Sequence, residues 1–288
     1  MSIVVTGATG ALGRLVIDAL LAAEVPADQI AAVVRNKDKA AGLAARGVEL
    51  RIADYSEPET LAGAFRAGDR VLLISGSEVG QRVAQHTAVI DAAKAAGVAQ
   101  LAYTGVLGGP DADFQLAAEH KATEELILGS GLPYTLLRNG WYTENYTEHL
   151  APVLEHGAVV ASAGEGRVAS AARADYAAAA AAVLTGEGHL GQAYELSGDV
   201  AWSFAEYAAE LSRQTGRTIE YRDVPAQTHL GVLTGAGVPE PFAEILVDVD
   251  AAVGRGLLER RSGDLARLTG RPTTPLADSV SAALATAR

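Results

Sequence analysis

The chain has 288 residues, of which 49% are hydrophobic and 20% are charged, as is typical of a folded globular protein. Its formal net charge of −12 excludes the basic face that a nucleic-acid-binding protein needs. The absence of cysteine excludes disulfides, catalytic thiolates and cysteine-ligated zinc.

The first half of the chain alternates short aliphatic runs with segments of helical periodicity. Leu12, Leu15, Val16 and Leu20, for example, form one apolar stripe between the first two runs. Alternating strands and helices indicate a parallel sheet covered on both faces, so we predict a Rossmann-type, doubly wound α/β fold. The predicted strands are Ile3–Thr6, Ile30–Val34, Val48–Ile52, Val71–Ser75, Leu101–Thr104 and Tyr134–Leu137.

Helices are predicted between these strands and through most of the second half. The candidate strands that interrupt these helices are Ala193–Leu196 and Thr218–Arg222. We therefore predict a dinucleotide-binding domain over residues 1–140, to which the strand near 193–196 returns. Residues 141–288 are predicted to form mainly a smaller, mostly helical substrate-binding lobe. The predicted helices are Leu12–Ala23, Lys37–Arg46, Pro58–Phe65, Gln81–Ala96, Ala117–Leu128, Ala174–Leu184, Phe204–Thr215, Phe242–Val253 and Leu276–Ala287.

The N-terminal sequence predicts a cytoplasmic protein. The first strand begins at residue 3 with no basic segment ahead of an apolar run, so we expect no signal peptide. No apolar run approaches the roughly 18 residues that a membrane-spanning helix needs. We therefore expect a small-molecule substrate and neither a membrane nor a nucleic acid as partner, and we leave a monomer and a homodimer open.

The sequence TGATGALG places Gly7, Gly10 and Gly13 at the first strand–helix junction. Gly7 permits a backbone conformation that a side chain would penalise, Gly10 leaves room for a pyrophosphate, and Gly13 lets the helix pack close to the strand. The helix N-terminus then offers free N–H groups to phosphate. We predict a dinucleotide site at this junction, and the alternative is a purely structural turn.

The residues after the second strand indicate which dinucleotide binds. NAD-binding domains usually place an Asp or Glu there to hold the ribose 2′-hydroxyl. In this chain Val34 is followed by Arg35, Asn36 and Lys37. A guanidinium can bind a 2′-phosphate through two hydrogen bonds. Arg35 therefore predicts a preference for NADP(H), with NAD(H) possible, and the alternative is a solvated basic turn.

Polar residues also follow the later strands. Ligands of such folds lie outside the carboxyl ends of the strands, so these residues are expected to share one rim. Asp54 follows the third strand and is a candidate acceptor for the adenine amino group. The other rim candidates are Ser75, Gly76, Ser77, Tyr103, Thr104, Gly105, Asn139, Gly140, Trp141 and Tyr142.

The catalytic motifs of two enzyme classes are missing from the sequence. The relay of short-chain dehydrogenases requires Tyr four residues before Lys, but Ala117 precedes Lys121 and Ile90 precedes Lys94 at that spacing. No GxSxG motif occurs, and the histidines have no partners at metal-ligand spacing, so we expect neither hydrolase chemistry nor a metal site. Hydride transfer to an electron-poor acceptor is still compatible, because solvent can complete the protonation.

His120 and Arg173 are the remaining polar candidates. His120 lies early in the helix after the fifth strand, where it is placed to donate a proton or to hydrogen-bond a substrate. The alternative for His120 is a solvated helix face. Arg173 begins a later helix and is a candidate contact to the cofactor.

Several longer segments together resemble one family. They include TGATGALG, VVRNKDKA, ISGSEVGQR, EHKATE, YTLLRNGWYTENY and SAARADYAAAAAAVL, and the similarity extends over nearly the whole chain. The segment YTLLRNGWYTENY is much more specific than the glycine turn. The chain resembles the NmrA-like atypical short-chain dehydrogenases/reductases, most of all their type 2 NADPH:quinone oxidoreductases, with the triphenylmethane reductases as close relatives.

This resemblance implies that NADPH reduces a quinone or a similar flat aromatic acceptor by two electrons, without flavin or metal. The cleft for the acceptor is expected beside Trp141 and Tyr142, with Asn145 and Gly105 also in contact. The implied cofactor contacts are Gly7, Ala8, Thr9, Gly10, Ala11 and Leu12, then Arg35, Ser75–Ser77 and Asn139–Asn145, with Arg173 as a further candidate.

Two departures from the quinone reductase pattern leave alternatives open. Gly105 stands where that pattern has Ser, and Gly76 also looks more like the triphenylmethane dye reductases. These glycines are expected to widen the acceptor site, so a dye reductase is one alternative. The family also contains NAD(P)-binding redox sensors that reduce nothing, and such a regulatory protein is the other alternative.

Overall fold

The structure is a computed structural model that describes residues 1–286. These residues form eleven strands, and the first six correspond to the six strands predicted in the first half of the chain. The strands are β1 (Ile3–Val5), β2 (Ile30–Val34), β3 (Glu49–Ile52), β4 (Arg70–Leu73), β5 (Gln100–Val106), β6 (Tyr134–Asn139), β7 (Ala158–Ala161), β8 (Arg167–Val168), β9 (Gln192–Leu196), β10 (Trp202–Ser203) and β11 (Glu220–Asp223).

A seven-stranded sheet has the order β3-β2-β1-β4-β5-β6-β9, and every neighbouring pair is parallel. All residues of β1 and β2 are buried, as expected of strands covered on both faces. The chain reverses its direction of travel across the sheet between β1 and β4, which opens a crevice at their carboxyl ends. The predicted doubly wound α/β fold is confirmed.

Twelve α-helices lie in the described part of the chain, and some of them cover the two faces of this sheet. On one face α1 packs against α7, whose alanines bury against the aliphatic stripe of α1. On the other face α3 and α4 lie side by side. The helices are α1 (Ala11–Ala22), α2 (Ala41–Ala44), α3 (Arg82–Ala96), α4 (Ala117–Ser130), α5 (Glu144–Thr147), α6 (Leu150–His156), α7 (Arg173–Thr185), α8 (Phe204–Thr215), α9 (Ala226–Gly235), α10 (Glu240–Gly254), α11 (Asp264–Thr269) and α12 (Leu276–Thr286).

The second half of the chain contributes to two bodies. Strand β9 and helices α7 and α11 pack with the main sheet, whereas β7 pairs with β11 and β8 pairs with β10 in two small sheets. These small sheets surround an aromatic core that includes Trp202, Phe204 and Tyr207. The division at residue 140 stays a prediction.

Three predicted elements differ in the structure. Lys37–Arg46 is a 3-10 turn at Asp38–Ala40 followed by the single turn α2, because the Asn36 carboxamide accepts hydrogen bonds from two backbone N–H groups and starts a tight turn. Pro58–Phe65 is a 3-10 helix over Pro58–Gly63. The strand predicted over Thr218–Arg222 is β11, two residues later at its start and one at its end.

The end of the last predicted helix, Ala287, lies outside the described residues, and α12 is described as far as Thr286. Among residues 1–286, no helix combines the length and the apolar character required to cross a membrane.

Candidate functional site

The glycine turn has the geometry that the sequence predicts. Gly7 has a φ of +56°, a conformation that L side chains rarely adopt. A Cβ added to Gly13 would lie 2.4 Å from the Gly7 carbonyl oxygen and 2.7 Å from the Ala8 Cα, so only glycine lets α1 approach the turn. At Gly10 an added Cβ would lie 3.1 Å from the same oxygen. The turn and α1 are therefore held together by backbone contact.

The N-terminus of α1 is open to a ligand. Gly10 caps the helix, and none of the side chains in residues 1–286 accepts a hydrogen bond from its first N–H groups. No acidic residue lies in the first turn. Free N–H groups and the positive end of the helix dipole thus face outward at this point, and they form a site for phosphate.

A cleft with a volume of about 670 Å³ runs along the carboxyl ends of the strands. It begins at the glycine turn and ends beside an aromatic wall, so one cavity joins the two parts of the predicted site. The predicted site residues that line it are Gly7, Thr9, Gly10, Ala11, Leu12, Gly13, Arg35, Asp54, Ser75, Gly76, Ser77, Thr104, Gly105, His120, Asn139, Gly140, Trp141, Tyr142, Asn145 and Arg173.

Besides Thr143 and Glu144, which fall inside the segment Asn139–Asn145, two residues predicted to contact the cofactor do not line the cleft. The Ala8 side chain is fully buried beneath α1, and the Ala8 N–H donates to the Val33 carbonyl. Tyr103 is fully buried because alternation along β5 points its ring toward α3 and α4 rather than toward the cleft. Both side chains pack in the protein interior behind the cleft wall and do not face the cavity.

The prediction missed several residues of the cleft wall. Some follow β4 within ISGSEVGQR, a segment already noted for its resemblance, and there Glu78, Arg82 and Gln85 reach the cleft. Phe114 and Leu116 come from an irregular stretch after β5 that has no periodicity to signal a role. The further missed lining residues are Val33, Val34, Lys39, Ala53, Tyr55, Ile74 and Val106.

Arg35 lies at the nucleotide end of the cleft and faces two carboxylates. Its Nη1 atom is 3.2 Å from Glu78 Oε1 and 4.0 Å from Asp54 Oδ2. The Arg35 side chain is 66% exposed, so its guanidinium is free to exchange these partners for another anion. Lys39 adds a second cation to the same end.

His120 lies in the middle of the cleft and is held by Tyr103. The Tyr103 hydroxyl is 2.7 Å from His120 Nδ1. Desolvation by burial, with the nearby Arg82 charge, lowers the pKa of His120 to about 3, and burial also raises the pKa of Tyr103. His120 is therefore neutral, and a hydroxyl that donates to Nδ1 leaves the ring proton on Nε2. The contact with Tyr103 and the half-buried position of His120 favour a role in the cleft over the alternative of a solvated helix face.

The fully buried His86 supports the strand end beside the half-buried His120. His86 Nε2 accepts a hydrogen bond of 3.0 Å from the Gly76 N–H, so its Nδ1 carries the proton and donates to Thr123 Oγ1. Desolvation by burial and the charge of Arg82 lower the pKa of His86 to about 3. Arg82 donates in turn to the Gly76 carbonyl and to the Glu119 carboxylate. These bonds fix the backbone where it meets the cleft.

The expectation that Gly76 and Gly105 widen the acceptor site is wrong. A Cβ at Gly76 would lie 2.9 Å from Gln85 Oε1, and a Cβ at Gly105 would lie 3.0 Å from Glu124 Oε1. Both positions point into the protein toward α3 and α4, although their backbones line the cleft. The absence of a side chain at these two positions permits close packing against Gln85 and Glu124.

The far end of the cleft is aromatic and partly polar. The Arg173 guanidinium lies 5.2 Å from the Tyr142 ring centroid and binds Glu148 at 2.6 Å. Asn139 Nδ2 donates to the Tyr142 hydroxyl, whereas the buried Asn139 Oδ1 has no partner in the described part of the chain. A buried acceptor atom is thus left without a partner at the end of β6.

Metal chemistry has no donor set in the described residues, since no three His, Asp or Glu side chains lie close enough to share an ion. The site therefore consists of a phosphate-binding helix end, a cation, an imidazole and an aromatic wall. A site of this composition suits a nucleotide and a flat second ligand.

Relatives of known activity cover the whole chain. It is 48% identical over 279 residues to quinone oxidoreductase 2 of Escherichia coli, with 97% of each chain covered. It is 32% identical over 277 residues to the NAD(P)H azoreductase of Xenophilus azovorans, with 96% of each covered.

Solved structures match equally well. The NADPH complex of the E. coli NADPH-dependent quinone oxidoreductase has a TM-score of 0.95 at 48% identity, covering 98% of this chain and 99% of that one. Triphenylmethane reductase of Citrobacter has a TM-score of 0.94 at 43% identity, covering 99% and 100%. The model of the NmrA-like family matches residues 1–257. The resemblance is confirmed, and the chain belongs to the NmrA-like family.

Proposed function

We propose that the protein is an NADPH-dependent oxidoreductase that reduces a quinone or a similar flat conjugated acceptor by hydride transfer. The observation that carries this proposal is the single cleft that joins the open N-terminus of α1 to His120 and the aromatic wall. Its similarity to an NADPH-dependent quinone oxidoreductase along the full chain supports the same reaction.

The residues of the cleft fit NADPH from end to end. The N–H groups at Gly10–Leu12 suit the bridging phosphates, and Arg35 suits the 2′-phosphate. Asn139 lines the cleft at the end of β6, where the nicotinamide is expected to lie. NADPH supplies the hydride when it is bound there.

His120 acts as a hydrogen-bond donor to the acceptor. Nδ1 binds the Tyr103 hydroxyl, so we assign the ring proton to Nε2, and His120 lines the cleft. A neutral imidazole N–H stabilises negative charge that develops on a carbonyl oxygen. Because the pKa of His120 is lowered to about 3, the ring is not an imidazolium at neutral pH and donates a hydrogen bond without acting as a general acid. Hydride delivery leaves an anionic oxygen, and water then supplies the proton that completes the hydroquinone. No tyrosine–lysine relay is needed.

The acceptor site is apolar and suits a flat ring. Phe114, Leu116 and Trp141 line this end and belong to the packed aromatic core of the second half. Tyr142, Asn145 and the backbone of Gly105 complete it. Such walls orient a ring and exclude water, which is the main contribution that a protein makes to direct hydride transfer.

An acceptor screen tests this function. The purified protein is mixed with NADPH, and the decay of nicotinamide absorbance is followed with 1,4-benzoquinone, with a triphenylmethane dye and with an azo dye. Decay with the quinone supports the proposal, and decay with the dye alone favours the dye reductase, whose structural relative has 43% identity. Tight NADPH binding without decay for any acceptor contradicts the proposal and favours a redox sensor. The cytoplasmic location and the monomeric or homodimeric state stay predictions.

A further inference from the structure

The guanidinium of Arg35, the group suited to the 2′-phosphate, already has a carboxylate beside it. Glu78 Oε1 lies 3.2 Å from Arg35 Nη1, and both side chains line the cleft. Asp54 is more distant, at 4.0 Å. A phosphate that approaches Arg35 therefore meets Glu78 first.

The Glu78 carboxylate is held in this place from a second side. Its Oε2 atom accepts a hydrogen bond of 2.8 Å from Gln85 Nε2, which also donates to Ser56 Oγ at 3.1 Å. The segment that carries Glu78 is tied at both ends, because the Gly76 N–H donates to His86 and the Gly80 N–H donates to Glu119. Glu78 is thus a positioned carboxylate rather than a freely moving surface side chain.

This carboxylate has opposite effects on the two nicotinamide cofactors. A 2′-phosphate carries negative charge, so it must displace Glu78 from Arg35 or lie beside a like charge. A ribose 2′-hydroxyl instead finds an acceptor. NAD-binding domains supply that acceptor from the end of the second strand, where this chain has Arg35. Glu78 brings a carboxylate to the same end of the cleft from β4.

We infer that Glu78 is a cofactor-specificity residue that limits the preference for NADPH and permits the binding of NADH. The inference rests on the proposed nucleotide site. Replacement of Glu78 by Gln removes the charge, keeps the shape and leaves Gln85 a partner. We expect Glu78→Gln to bind NADPH roughly three- to tenfold more tightly and NADH a fewfold more weakly, as suits a partly exposed charge.

The test is a fluorescence or calorimetric titration of the intact protein with NADPH and NADH. Glu59→Gln is the matched control, because Glu59 is exposed, lies outside the cleft lining and changes the net charge equally. A rise of the NADPH:NADH affinity ratio in Glu78→Gln, with none in Glu59→Gln, supports the inference. An unchanged ratio overturns it, and so does a lower ratio, which would mean that Glu78 holds Arg35 ready for phosphate.

Parallel titrations with adenosine 2′,5′-bisphosphate and 5′-AMP separate this inference from the proposed function. If the wild-type protein binds none of the four nucleotides, the proposed site itself is wrong. If it binds NADPH but Glu78→Gln gives wild-type affinities for all four, only the role of Glu78 is wrong. If Glu78→Gln raises the affinity for adenosine 2′,5′-bisphosphate but not the affinity for 5′-AMP, the effect lies at the 2′-phosphate.

Discussion

The two ends of the cleft are formed by different groups of the protein. The nucleotide end is made by backbone: a left-handed Gly7, a Gly13 that touches the turn, and the open start of α1. The acceptor end is made by side chains from distant segments, with His120 from α4 and Trp141 from the stretch after β6. Local sterics therefore determine the first end, whereas tertiary packing and burial determine the second. Mutations at the two ends are expected to separate binding from chemistry.

The strongest test of the backbone-built end is Gly13→Ala. The new Cβ would collide with the backbone of Gly7 and Ala8, so α1 must move away from the turn. We expect the free energy of unfolding to fall by about 1–3 kcal/mol and NADPH affinity to fall roughly 100-fold. Gly42→Ala is the control, because no atom lies within 4 Å of its added Cβ. Chemical denaturation and NADPH titration measure both effects; wild-type affinity in Gly13→Ala would refute a tight turn.

The next largest effect is expected for Arg35→Ala. Hydrogen bonds to a charged partner contribute about 1.5–3 kcal/mol, so NADPH affinity should fall about ten- to hundredfold while NADH affinity changes little. Arg46→Ala serves as control, since Arg46 pairs with Asp18 outside the cleft. Titrations of Arg35→Ala with NADPH and with NADH measure the two affinities. Equal losses for NADPH and NADH would rule out a contact to the 2′-phosphate.

At the acceptor end, His120→Ala is expected to lower kcat for quinone reduction by roughly tenfold through loss of one hydrogen-bond donor. The dissociation constant of NADPH should stay near that of the wild type, because Asn139, Arg35 and the turn are untouched. Steady-state kinetics with a parallel titration separate the two quantities. Unchanged kcat would remove His120 from the reaction, and a matched loss of cofactor affinity would make it a binding residue.

The smallest expected effect is in the pH profile of kcat. The pKa of His120 is lowered to about 3, so the imidazole gains a proton only on acidification to that region and stays neutral between roughly pH 5 and pH 8. We therefore expect kcat to show no step near the ordinary histidine pKa. A step near pH 6.5 that disappears in His120→Ala would contradict the burial of a neutral donor.

The same contrast explains what the sequence predicts well. The strand–helix alternation and the spacing of Gly7, Gly10 and Gly13 are local patterns, and both appear in the structure as expected. The sequence also places His120 correctly on the helix after β5. Its neutrality depends on burial and on the charge of Arg82, which come from other elements and leave no periodic signal.

The sequence-based predictions are wrong or incomplete where the direction in which a residue faces determines its role. Gly76 and Gly105 were predicted to widen the cleft, but their missing side chains face Gln85 and Glu124 inside the protein. Glu78 escaped notice because only the fold brings it to Arg35, 43 residues away in sequence. A turn has no sequence periodicity, so the sequence does not predict which residues a turn residue will contact.

The most direct test of the central claim, that one cleft carries hydride from NADPH to the acceptor, is a primary isotope effect. NADPH deuterated at C4 on one face or on the other is oxidised by a quinone in the presence of the protein, and single-turnover rates are compared. We expect one deuterated epimer to react more slowly than unlabelled NADPH and the other epimer to react at the unlabelled rate, because the cleft fixes the nicotinamide in one orientation. Acceptor-dependent oxidation with equal rates for both epimers and for unlabelled NADPH, or no oxidation at all, would contradict it.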